Sequence, residues 1–391
     1  MQIPIFRGGG CMKKVKLGEI CEIVTGSTPK SSNPNYWNGE YKWITPAEIS
    51  DDDFIVFDTQ RKITKLGIEE TGLKSFPTGT VLLSSRAPIG KVAISGCEMY
   101  CNQGFKNFIC SNKINNEYLY YFFKSRKNYL NILGRGATFK EISKSIVSDI
   151  EIFLPTYGIQ RKQVKVLKKI DKLIYTRKEQ LIEFEYLVKS RFNEMFGDFY
   201  TTLFPKYKIG EKFELSSGST PSRDNKLYWD SGTINWVKTT EVINKEITET
   251  EEKITKFALE STSLKLFPVN TILIAMYGQG QTRGRSAILK VESTSNQACG
   301  AIFPNKIDNP VFIWHQLMLR YSELRELGRG GNQPNLNGQL IKNFELILPP
   351  LSLQNEFADF VAQVDKSQLA IQKSLDELET LKKSLMQKYF G

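Results

Sequence analysis

The feature that most constrains this 391-residue chain is that it repeats itself. The stretch GSTPKSSNPNYWNGEYKW, beginning at Gly26, returns as GSTPSRDNKLYWDSGTINW from Gly218, with Tyr36-Trp37 matching Tyr228-Trp229. Further anchors follow in order. Lys74-Ser-Phe-Pro77 matches Lys265-Leu-Phe-Pro268, and Val81-Leu-Leu83 matches Ile272-Leu-Ile274. Asn102-Gln103 pairs with Asn296-Gln297, Gly134-Arg-Gly136 with Gly328-Arg-Gly330, and Leu154-Pro155 with Leu348-Pro349. Gln160 matches Gln354, and Phe196-Gly197 matches Phe390-Gly391. The offset stays between 191 and 194, so the chain is two tandem copies of one unit, each bound to fold by the same rules.

Each copy has two textures. Residues 15–155 and 207–349 mix short β-rich runs (TVLLSS, KVAIS, NFIC, DIEIFLP) with Gly, Pro, Asn and Ser, interrupted by helical stretches such as NEYLYYFFKSRKNYLNIL. That mixture predicts a globular α/β domain. After each Leu-Pro comes a charged segment without Pro or Gly, 159–196 and 353–390, which predicts a long helix. Leu167, Ile174, Leu181 and Val188 recur every seven residues, with Ile170 and Phe184 interleaved. In the second segment Val364, Ile371, Leu378 and Leu385 recur, with Val361 and Leu375 interleaved. Polar residues interrupt each pattern where the other copy is apolar: Arg177 and Arg191 correspond to Ile371 and Leu385, and Gln368 and Lys382 to Ile174 and Val188. Two helices made for each other have that complementarity, which predicts an antiparallel coiled-coil pair within the chain rather than self-association. The alternative is two amphipathic helices packed on their own domains. A helix of this length spans about 55 Å at about 1.5 Å per residue, the length of roughly 16 base pairs.

Composition narrows the function. A net charge of +11 favours a polyanionic partner, nucleic acid being the commonest. The central helix concentrates it, with ten Lys/Arg against five Asp/Glu between Gln160 and Glu194, whereas Gln354–Lys388 has five against six; if one helix lies nearer phosphate it is the central one. No apolar run approaches the length of a membrane span, and the cytoplasm is the expected compartment. The opening MQIPIFRGGGCMKK lacks a hydrophobic signal core, and its Gly-Gly-Gly-Cys run ahead of Met12 reads as an appended segment or an upstream start. Among Cys11, Cys21, Cys97, Cys101, Cys110 and Cys299 no CxxC pair occurs, so buried thiols are expected rather than zinc. Asn33-Pro-Asn-Tyr36 nearly spells the Asn-Pro-Pro-Tyr loop with which amino-methyltransferases clamp a flipped base. The second copy lacks the proline, reading Asp224-Asn-Lys-Leu-Tyr228, and no glycine-rich adenosylmethionine loop follows a strand. A turn before a packed Tyr-Trp pair is the better reading.

Leu17-Gly-Glu-Ile20, Gly26-Ser-Thr-Pro29, the following Tyr-Trp…Trp, Asn102-Gln103 and Leu154-Pro…Gln160 ahead of a long helix resemble the DNA-specificity subunit of type I restriction-modification systems, over essentially the whole chain and in both halves. The resemblance implies a mixed α/β protein: two tandem globular α/β target-recognition domains separated by two long antiparallel coiled-coil helices, a pseudo-twofold internal repeat. The implied divisions are 1–155 and 199–350 for the recognition domains, and 156–198 and 351–391 for the spacer helices. It also implies a non-catalytic chain that reads a bipartite, asymmetric site in double-stranded DNA. Such a chain recruits two modification subunits that methylate adenine and, through them, restriction subunits. No cofactor or metal is expected on this chain. S-adenosylmethionine, and ATP with magnesium where a restriction subunit joins, would belong to the partners.

Base reading needs Arg, Lys, Asn or Gln on loops, because their forks match guanine and adenine edges. The first copy offers Ser84, Arg86 and Lys91 in SSRAPIGK; the aligned stretch of the second offers Tyr277, Gln279, Gln281, Thr282, Arg283 and Arg285. The two stretches diverge where the surrounding frame matches, as reading loops should, although a solvated hairpin tip would look similar. Next come the glycine-rich loops with Arg135 and Thr138, and with Arg329, Asn332 and Gln333, whose arginines fit an exposed turn equally well. Lys30, Lys42, Arg223 and Lys238 fit either phosphate contact or plain exposure. Trp37, Trp43, Trp229 and Trp236 repeat with the frame and are expected in the core rather than as base-stacking platforms. His315, in the apolar PVFIWHQLMLR, is expected to be packed. Two other readings stay open. A self-contained adenine methyltransferase would bind adenosylmethionine and lose activity on Asn33→Ala. A coiled-coil adaptor blind to DNA would keep every interaction after Arg86→Ala with Arg283→Ala.

Overall fold

The computed structural model describes residues 13–134, 140–278, 280–328 and 335–391. The chain divides into two compact units, one made of residues up to Lys178 with Lys373–Gly391, the other of Glu179–Gln372. The two helices are each unbroken, Tyr157–Phe196 and Leu351–Phe390, two residues longer at the start than the charged segments suggested. Each helix therefore gives one half to either unit.

In the first unit a five-stranded sheet runs in the order Cys21–Val24, Asn107–Cys110, Val81–Leu83, Val92–Ser95, Ile55–Val56. Neighbours pair antiparallel except the last two, which are parallel. Trp37–Ile44 is the centre of a three-stranded sheet, between Arg61–Ile63 and Tyr100–Cys101. Lys13–Lys16 pairs with Glu151–Leu154 just before the long helix. The second unit repeats all three sheets strand for strand, from Lys206–Lys208 to Glu345–Ile347. Alternate faces of the five-stranded sheet feed two cores. Val81 and Leu83 pack on Asn116–Ser125, whose Tyr118 to Phe123 are all buried, while Leu82 and Ala93 face Ile44, Ile49 and Phe76.

The motif residues are frame-builders. A Cβ on Gly26 would lie 1.7 Å from the Cys101 carbonyl oxygen, and one on Gly218 2.1 Å from that of Ser295, so only glycine lets these strands pass. Thr28 Oγ1 lies 2.5 Å from Gln103 Oε1, and Thr220 Oγ1 2.5 Å from Gln297 Oε1. Gln160 is buried, accepting from the Asn115 amide (2.8 Å) and donating to the Lys113 and Pro155 carbonyls. Gln354 does the same with the Asn309 amide, Pro349 and Asp308. Each glutamine thus fastens a long helix to the loop that starts its own unit's core helix, satisfying groups that burial would otherwise leave unpaired.

The heptad reading holds along both helices. Every position from Leu167 through Ile170, Ile174, Arg177, Leu181, Phe184, Val188 and Arg191 to Met195 is buried or half-buried at alternating spacings of three and four, and so is Val361 through Val364, Gln368, Ile371, Leu375, Leu378 and Lys382 to Leu385. In the first unit Leu167, Ile170 and Ile174 share a core with Leu385, and Lys382 meets Asp171 at 2.6 Å while Lys178 meets Glu379 at 3.6 Å. One index rises as the other falls, so the segments are antiparallel. In the second unit Val188 packs with Val361, Arg191 Nη2 donates to Glu356 at 2.8 Å, and the Phe192 and Phe357 rings lie 5.4 Å apart. The polar seam residues are therefore used: Lys382 and Arg191 reach carboxylates on the opposing segment.

Candidate nucleic-acid interface

The loop from Ser84 to Lys91 leaves the strand Val81–Leu83 and returns into Val92–Ser95. Ser84 turns it inward, its hydroxyl donating to the Pro88 carbonyl (2.7 Å) and accepting from the Lys91 amide (2.9 Å). Ser84 is fully buried, its hydroxyl engaged in shaping the turn. The Ala87-Pro88 peptide is cis. Arg86 stays exposed, its Nε donating to Glu141 Oε2 at 2.9 Å. Lys91 is half-buried and donates to the Pro46 carbonyl. Asn131, on the helix Lys127–Leu133, holds the loop by donating to the Ile89 carbonyl at 3.3 Å.

The second unit holds its longer loop at the matching place with a larger side chain. Arg325, on the helix Tyr321–Leu327, donates through Nη1 to the Arg283 carbonyl (3.3 Å) and the Tyr321 hydroxyl (3.0 Å), and through Nη2 to the Gly280 carbonyl. Tyr321 donates to the Gln281 carbonyl at 2.7 Å. Tyr277 and Gln281 are exposed, Thr282 and Arg285 half-exposed, and Arg285 Nη2 donates to Gln281 Oε1 at 2.9 Å. Arg283 is buried, 6% exposed, with its carbonyl held by Arg325. Arg135, Thr138, Gln279, Arg329, Asn332 and Gln333 lie outside the described residues.

The four tryptophans are packed as expected. Trp43 Nε1 donates to the Ser27 carbonyl and Trp236 Nε1 to that of Ser219, while Trp37 and Trp229 meet them edge-on, both at 5.0 Å. What the sequence did not reveal is the cation over each pair. Arg61 lies 3.5 Å from the Trp37 ring, and Arg223 lies 3.9 Å from the Trp229 ring. Arg223 is also paired with Glu252, whose carboxyl that contact holds below its ordinary range, and Lys238 meets Glu251 at 2.5 Å. Lys42 donates to the Phe57 carbonyl at 2.5 Å. These three cations serve the frame; Lys30 is exposed. His315 packs between Trp314 and Phe357, and burial lowers its imidazole to about 4. Asn33 caps the turn Pro34–Tyr36, as Asn225 caps Lys226–Tyr228. Among the described residues no cluster of His, Cys, Asp and Glu could hold a metal, and no helix is long and apolar enough to cross a membrane.

One basic surface accompanies the first loop's unit. Arg161, Lys162, Lys165, Lys168, Lys169 and Lys172 line a cleft on the central helix beside Asn115 and Glu117. The matching C-terminal positions read Asn355, Glu356, Asp359, Ala362, Gln363 and Lys366, so the duplicated face lacks the positive charge.

The model of the type I restriction modification DNA specificity domain matches residues 11–185 and again residues 203–381. The chain belongs to this family. The specificity subunit of the type I restriction enzyme MjaIX from Methanocaldococcus jannaschii is 29% identical, over 96% of this chain and 91% of that protein. The EcoR124I/EcoR124II specificity subunit of Escherichia coli is 25% identical over 40% of each. Two solved structures share the fold. The type I restriction-modification S subunit of M. genitalium superposes with a TM-score of 0.60 at 15% identity, covering 97% of this chain and 96% of that one. A chain from a structure addressing assembly and conformational transition of the type I system gives 0.66 at 18% identity and 97% coverage of both. As a specificity-family chain the protein is the DNA-recognition component of such a system, not its catalyst.

Proposed function

We propose that the chain reads a bipartite, asymmetric site in double-stranded DNA, one half-site per unit, and docks two modification subunits that methylate adenine, with restriction subunits joining through them. Residues 1–155 and 199–350 act as the recognition domains, and 156–198 and 351–391 as spacers. The observation that carries this reading is a contrast at equivalent places. The two units share one frame down to the hydrogen bonds of Gln160 and Gln354, yet where the loops leave the strands one offers Arg86 and Lys91 and the other Tyr277, Gln281, Thr282 and Arg285. A duplicated frame carrying unlike donors suits two unlike half-sites. The family supports DNA recognition, and the specificity subunits named above belong to type I restriction enzymes, which supports assembly with partner subunits.

The purified full chain should bind duplexes carrying the interrupted site that its complex methylates. With about six phosphate contacts the affinity should fall steeply with salt, the log-log slope being near −5. With adenosylmethionine alone it should transfer no methyl group. Equal affinity for every duplex would defeat the reading.

A further inference from the structure

Below the first unit's loop lies a charged relay that the second unit lacks. Lys106 is 6% exposed, and its Nζ donates to Ser85 Oγ (3.2 Å) and Glu141 Oε1 (3.1 Å). The other oxygen of Glu141 accepts from Arg86 Nε at 2.9 Å. The backbone locks the same corner: Arg86 and Glu141 bridge antiparallel, and the Ile142 amide donates to the Ser85 carbonyl at 2.9 Å. The second unit keeps that lock, with the Leu336 amide donating to the Met276 carbonyl at 2.9 Å. This fixes the correspondence: Arg86 with Tyr277, Glu141 with Asn335, Lys106 with Gly300.

We propose that Glu141, anchored by buried Lys106, is a positioning residue that presents Arg86 to a guanine in the first unit's half-site, and that the second unit reads the equivalent base pair without a guanidinium. The inference rests on the DNA-reading function proposed above.

The geometry gives three reasons. With Nε engaged by Glu141, the free edge of the guanidinium is its Nη pair, two parallel donors that match guanine O6 and N7. Among the described residues Arg86 makes no other polar contact. Second, the relay fixes a side chain that would otherwise lose much rotamer freedom on binding. Burial would raise the Glu141 carboxyl, but the hydrogen bonds from Lys106 and Arg86 outweigh it and hold the group below its ordinary range, so it stays an anion able to grip. Third, a lone carboxylate beside phosphate and guanine acceptors would repel them. Lys106 cancels that charge, leaving the trio net positive. Stability is a poor explanation for the outer pair, since half-exposed ion pairs contribute about 1 kcal/mol or less.

The test is the methylated-adenine motif mapped in cells that carry the full chain with its modification subunits. Glu141→Gln and Arg86→Ala should loosen the same single base pair, a G·C in one half-site, reducing preference for it about 10- to 100-fold and leaving the other half-site intact. Arg86→Lys should fail to restore it, because an ammonium is a point donor without a fork. A merely structural Glu141 would lower methylation at all sites together without altering the motif. The proposal is overturned if Glu141→Gln leaves that base pair as strict as the wild type, or loosens a different one from Arg86→Ala. It is also overturned if Arg86→Ala, the removal of an exposed side chain, loosens none. A wild-type chain that directs no motif at all would instead overturn the DNA-reading function.

Discussion

The two tryptophan shelves make the most instructive comparison. In the first unit the cation over the indoles is Arg61, on a strand; in the second that strand position is Glu252, and Arg223 reaches over from the preceding loop. The same requirement, a guanidinium on the ring face, is met from two different sequence positions. The loops that leave Val81–Leu83 and Ile272–Ala275 differ in the opposite sense. Asn131 and Arg325 occupy equivalent positions and perform the same clamping, but the clamped loops present unlike side chains. On the DNA-reading function proposed above, the comparison separates what folding demands twice from what recognition demands differently: frame interactions recur even when their residues move, and presented residues diverge even when their supports stay put.

That distinction can be broken by substitution. The largest effects should come from the shared frame and be equal in the two units. Gly26→Ala and Gly218→Ala each drive a methyl into a carbonyl and should cost about 3 kcal/mol or more, read as lost protection in the hydrogen exchange of the affected unit. A large cost in only one unit would deny the equivalence.

A smaller effect should divide the units by pH. His315, at the position where the first unit has Tyr121, is held neutral to about pH 4 by burial, against an ordinary value of 6.5. Between those values the unfolded chain binds a proton that the folded unit refuses, so stability falls as pH falls through this window. By pH 5 the second unit should lose about 2 kcal/mol from this group. Tyr121, whose hydroxyl donates to Asp171 at 2.6 Å, brings no such acid sensitivity. Protection factors at pH 7 and 5, with and without His315→Gln, measure it; a loss that survives His315→Gln would have another source.

Smallest is the shelf itself. Arg61→Ala and Arg223→Ala should each cost their own unit about 1 kcal/mol. Glu252→Gln should weaken only the second shelf. Equal sensitivity of the first shelf to the change at Glu252 would refute the exchange of cation sources.

How far the sequence alone reaches follows the same division. The repeat, the heptads and the packed tryptophans were legible because each is a periodic or doubled pattern, and Gln160 with Gln354 stood out as a repeated polar residue at a helix start. The burial of Ser84 and Arg283 is not legible in the sequence, because burial inside a turn depends on where the loop folds back, which no local spacing encodes. Arg61 escaped notice since its partner indoles are contributed by another strand. Arg325 did too, being an ordinary arginine on a short charged helix. Comparing the copies position by position was the available signal for both.

The most direct test of two unlike reading surfaces on one frame is the methylated motif of the assembled complex, mapped for chains carrying Arg86→Ala or Arg285→Ala alone. Each substitution should relax one half-site and leave the other at wild-type stringency, with the relaxed halves opposite. Both substitutions relaxing the same half, or neither altering either, would contradict it.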